Sequence, residues 1–65
     1  MDSMIDVRNL LKRFGIFVYI GEQKADLLLM EDELQSLFEN QLISNQEYAK
    51  ALLIIKKEKK DLEKF

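Results

Sequence analysis

Apolar residues recur at helical spacing in three runs of this chain, and one short stretch breaks the rhythm. Met4, Val7, Leu11 and Phe14 fall at i, i+3, i+7 and i+10, one face of a helix, and Ile5 and Leu10 widen the stripe. The spacing predicts a first helix from about Ser3 to Phe14, capped by Asp2 or Ser3 and stopped by a left-handed Gly15. Leu27, Met30, Leu34, Leu37 and Gln41, flanked by Phe38, predict a second from about Glu22 to Gln41. Leu42 and Ile43 break that pattern. Ser44-Asn45-Gln46-Glu47 then fits a capping box, with Tyr48 placed for a hydrophobic staple. A third helix follows from about Asn45 to Lys64, its inner stripe made of Tyr48, Ala51, Leu52, Ile55 and Leu62 and interrupted by Lys59. At ~1.5 Å per residue it reaches ~30 Å, about twice the first helix. Its C-terminal half is expected to overhang or to pack only on the second helix.

The exception is Phe14-Gly15-Ile16-Phe17-Val18-Tyr19-Ile20-Gly21, which holds both glycines and three of the six aromatic rings. Extended, it would point Ile16, Val18 and Ile20 one way and Phe17 and Tyr19 the other. These residue types favour strand, yet no second strand is visible to pair with it. A lone edge strand would leave its backbone unpaired. The expectation is therefore a crossing segment whose rings plug one end of a helical bundle. The fold class is all-α: a small three-helix bundle, one domain over residues 1–65, with an irregular Gly15–Gly21 crossing segment between helices one and two.

Composition narrows the class. A chain of 65 residues buries only about 60% of its unfolded surface, so the core is thin. With 48% hydrophobic residues it still has enough apolar surface to order itself. It has no proline to interrupt a helix and no cysteine for a disulfide or thiolate site. No apolar run is long enough to span a membrane, and the acidic Met1-Asp2-Ser3 start is unlike an export signal, so the expected location is the cytoplasm. Charge is uneven: net +1 over residues 1–15, −5 over 16–43 and +2 over 44–65.

Without histidine or cysteine, His-based acyl transfer and Cys nucleophiles are excluded. There is no zinc ligand set and no phosphate-binding glycine loop, so no metal or cofactor is expected. Glu31, Asp32 and Glu33 are consecutive, and a helix splays them apart. Glu22, Asp26 and Glu33 share a face that reads as a solvated acidic surface. A non-catalytic binding protein is the expectation. Two ligand classes stay open. Arg8 and Lys12 at i, i+4, with Arg13 beside them and Phe17 and Tyr19 next in sequence, offer the cations and rings that single-stranded nucleic acid needs. Against this stands an acidic chain, pI near 5.0. Leu28, Leu29, Leu53 and Ile54 lie off the main stripes and suit a protein partner or self-association.

Taken together, Asp6-Val7, Leu10-Leu11-Lys12, Phe14-Gly15, Phe17, Tyr19, Gly21, Asp26, Leu29-Met30, Asp32-Glu33-Leu34, Leu37, Leu42, Ala51, Ile54 and Lys56 resemble the YqgQ-like proteins, small bacterial cytosolic proteins of uncharacterised function. The resemblance covers nearly the whole chain and rests on the ensemble, since no single piece is a functional motif. It implies a three-helix bundle and a role in binding single-stranded nucleic acid, suggested for the family from its shape. It assigns no catalytic residue.

Overall fold

The computed structural model describes residues 1–63, and it has three helices in a single bundle: α1 (Met4–Lys12), α2 (Gln23–Glu39) and α3 (Asn45–Leu62). The bundle is the fold expected from the apolar spacing. Lys64, where that spacing ends the third helix, lies outside the described residues.

Each helix starts on a side chain that accepts orphan amides. Ser3 is the N-cap of α1, and the Asp6 carboxylate reaches back to accept from the Asp2 and Ser3 N–H groups at 2.8 and 3.2 Å. Those two bonds, the Asp2 one first, hold the Asp6 carboxyl below its usual range. Glu22 caps α2 from outside the helix, accepting from Ala25 N at 2.6 Å and Lys24 N at 3.4 Å. At α3 the Ser44–Glu47 box closes both ways: Glu47 N donates to Ser44 Oγ at 3.1 Å and Ser44 N to Glu47 Oε1 at 3.0 Å. The Ser44 bond, aided by the Arg13 guanidinium, lowers the Glu47 carboxyl below its ordinary value.

α1 and α2 end earlier than the apolar spacing predicts, and for one reason. After α1, Ile16 N donates to Leu11 O and Gly15 N to Lys12 O, a Schellman closure with Gly15 at φ +73°. After α2 the same closure recurs: Leu42 N donates to Leu37 O and Gln41 N to Phe38 O, but the left-handed residue is Gln41, at φ +60°. Gln41 is thus a turn residue and not the last inner position of a helix. A side chain there costs ~1–2 kcal/mol, partly offset by the greater freedom glycine has when unfolded. Gln41→Gly is accordingly expected to stabilise the protein by about 0.5–1 kcal/mol in chemical denaturation. A loss of stability would show that the Gln41 side chain contributes more than its backbone strain.

Val7, Leu10, Leu11, Leu27, Met30, Leu34, Leu37, Ile43, Ala51 and Ile55 form the buried core. α2 and α3 make most of the tertiary contact, and they run antiparallel, as three cross-links show. Phe38 stacks on Tyr48 with ring centroids 4.4 Å apart at one end. Lys59 Nζ donates to Glu31 Oε1 at 2.9 Å further along, and Lys24 approaches Glu63 to 4.0 Å at the other end. The Lys59 that interrupts the inner stripe is therefore a half-buried tie between helices. The far end of α3 does not overhang: Leu62 packs on the core, and Glu58 and Leu62 share a depression with Met4 and Arg8 of α1.

The aromatic plug exists, but it is made by Phe38 and Tyr48. Phe17 and Tyr19 are 74% and 85% exposed, so the expectation that they close the bundle is corrected. The face turned inward carries Ile16 and Val18, both packed against the core, while Ile20 at the end of the segment turns outward.

Candidate nucleic-acid interface

An extended segment with no neighbouring strand must find partners for its backbone elsewhere. Here two charged side chains supply them. Arg8 Nη1 of α1 donates to Val18 O at 2.9 Å, and Asp26 Oδ1 of α2 accepts from Ile20 N at 2.8 Å. Arg8 is half-buried and Asp26 is buried. With the Schellman turn at Gly15 before it and Gly21 at φ +93° after it, the segment is fixed at both ends and pinned twice between them. Asp26 is thereby removed from the solvated acidic face on which the sequence places it.

Both positions carried a signal in the sequence that amphipathic reading passed over. Asp26, Met30, Leu34 and Leu37 fall at i, i+4, i+8 and i+11, so Asp26 stands on the core stripe itself. Met4, Arg8 and Leu11 fall at i, i+4 and i+7, which puts Arg8 on the inner face of α1. A charged residue on an inner stripe, facing an extended segment short of partners, is the pattern that reveals such a clasp.

With Ile16 and Val18 packed inward, Phe17 and Tyr19 turn outward, on the side of the bundle that carries Lys12. Arg8, Lys12, Phe17 and Tyr19 line one open depression of about 170 Å³, based on Leu11, Ile16, Val18 and Met30. Lys12 is exposed and has no ion-pair partner among the described residues. Arg8 brings a positive charge to the same depression but spends one donor on Val18. Arg13 is not part of it. Its guanidinium pairs with Glu47 at 3.3 Å and lies over the Phe14 ring, 5.7 Å from the centroid. The expected cluster of three cations is thus divided: two face the rings, and the third ties α1 to the start of α3. A second depression, about 180 Å³, shares Arg8 and Met30 with the first.

Of the apolar residues outside the inner stripes, Leu28, Leu29 and Leu53 are exposed, by 50%, 39% and 68%, whereas Ile54 packs against the core. Among the described residues no helix is long and apolar enough to cross a membrane.

The family model described as YqgQ-like matches residues 1–61. The chain is also 38% identical, over 58 residues, to the uncharacterized protein YqgQ of Bacillus subtilis (strain 168), a match covering 89% of this chain and 82% of that protein. The chain belongs to the YqgQ-like family. Several residues that carried the YqgQ-like resemblance have identifiable structural work here: Asp6 caps α1, Gly15 ends it, Gly21 turns the chain into α2, and Asp26 holds the crossing segment.

Proposed function

We propose that this YqgQ-like protein is a non-catalytic binder of single-stranded nucleic acid, with Phe17 and Tyr19 as the stacking surface. The observation that carries the reading is the exposure of two neighbouring rings on a pinned backbone, next to a Lys12 with no ion-pair partner among the described residues. Two exposed rings lining one depression make a contiguous apolar surface that a ligand can cover, and bases stack on aromatic faces irrespective of sequence. Lys12 and the remaining Arg8 donors meet the phosphates. With few cations and an overall charge of −2, affinity is modest and strongly salt-dependent.

A salt titration of binding to a short labelled single strand tests this. Log affinity is expected to fall linearly with log salt, and Lys12→Gln to reduce the slope by about one. Arg13→Gln is expected to leave the slope nearly unchanged, because Arg13 is engaged with Glu47. Absence of salt-sensitive binding at micromolar protein would overturn the reading. A second reading, a protein partner or self-association through exposed helix surface, rests on Leu53, which is 68% exposed on α3. It would take precedence on that outcome.

A further inference from the structure

The second depression lies between the start of α2, Arg8 of α1 and the far end of α3. Leu27 and Leu62 contribute apolar lining, and Arg8, Gln23, Asp26 and Glu58 contribute polar groups and charge. Asp26 is the telling member. It is only 5% exposed, and its Oδ1 is taken by Ile20 N. No donor among the described residues reaches Oδ2. Yet no buried side-chain oxygen is left without a partner among them, so Oδ2 is not fully enclosed, and Asp26 is one of the residues that line the depression. The structure therefore holds a nearly buried carboxylate at a hollow of mixed polar and apolar lining, with one acceptor-only oxygen that no donor among the described residues engages.

A ligand complementary to that hollow offers a hydrogen-bond donor to Asp26 and apolar surface to Leu27 and Leu62. At about 180 Å³ the space is below that of a drug-sized pocket and suits a single small ring system. Resting on the reading above, we infer that this hollow takes one base of the bound strand, and that Asp26 selects a base bearing an exocyclic amino group. Asp and Glu carboxylates accept from the cytosine N4 amino group in this way. Uracil and thymine present carbonyl oxygens at the corresponding edge. Their single N3–H is flanked by two such oxygens, which would face the Asp26 and Glu58 carboxylates. Because Arg8 borders both the hollow and the ring-lined depression, a strand stacked on Phe17 and Tyr19 would reach it with a neighbouring nucleotide.

The test compares short oligocytidylate and oligouridylate strands of equal length at neutral pH, on the wild-type chain and on Asp26→Asn. Asparagine keeps an oxygen for Ile20 N and replaces the free oxygen with an amide donor. The wild type is expected to prefer cytidine by about fivefold or more. Asp26→Asn is expected to lose or reverse that preference. Should circular dichroism show that Asp26→Asn does not fold, Glu58→Gln takes its place and is expected to narrow the preference. Equal salt-dependent binding of both strands by the wild type would overturn the base-selective hollow while leaving strand binding in place. A wild-type preference for cytidine that the variants leave unchanged would overturn the role of the Asp26 hollow. No binding to either strand would overturn both.

Discussion

Asp26→Ala is expected to destabilise the protein by about 1–3 kcal/mol, although the residue it alters is an aspartate on a helix rich in acid. The substitution removes the charged acceptor of Ile20 N, and with it one of the two bonds that pin the crossing segment. For a domain of this size each kcal/mol corresponds to a fall of roughly 4–8 °C in Tm. Glu33, on the same helix and without a hydrogen bond or ion pair among the described residues, supplies the control. Glu33→Ala is expected to stay within about 0.5 kcal/mol of the wild type. Thermal unfolding of the two variants side by side makes the comparison. If Asp26→Ala behaved like Glu33→Ala, the clasp on the crossing segment would contribute nothing to stability.

Phe17→Ala and Tyr19→Ala are expected to do the reverse, leaving stability nearly untouched and weakening strand binding. Both rings are mostly in water, so truncation removes little burial and should change stability by no more than about 0.5 kcal/mol. A stacked base is worth ~1–3 kcal/mol, a loss of roughly five- to 150-fold in affinity for each ring removed. Denaturation and fluorescence titration of the same preparations separate the two effects. Cooperative loss of stability in either variant would return the rings to the core. Unchanged affinity in both would remove them from the interface.

The parts of this fold that depend on local pattern were legible in the sequence. Helical periodicity placed all three helices, and the Ser44–Glu47 box located the start of α3 to the residue. Helix ends were harder, because a Schellman closure needs one left-handed residue, and Gln41 does not announce itself as Gly15 does. The crossing segment was misjudged at the level of packing. Large rings dominate core energetics in general, which favours burying Phe17 and Tyr19. A period of two, however, sends rings and branched aliphatics to opposite sides, and Ile16 and Val18 took the inner one. The candidate site was half legible. Lys12, Phe17 and Tyr19 do meet at one depression, whereas Arg13 is drawn away by Glu47, a partner 34 residues distant that no local pattern links to it.

On the proposed reading, two exposed rings, on a backbone pinned by Arg8 and Asp26, form a surface for stacked bases. Proton NMR of the aromatic rings during titration with a short deoxycytidine strand tests it most directly. The Phe17 and Tyr19 ring protons are expected to move upfield and saturate as bases stack over them, while those of Phe38 and Tyr48, paired at one end of the bundle, stay in place. Phe17 and Tyr19 signals that remain fixed with the strand in excess would show that bases do not stack on these rings.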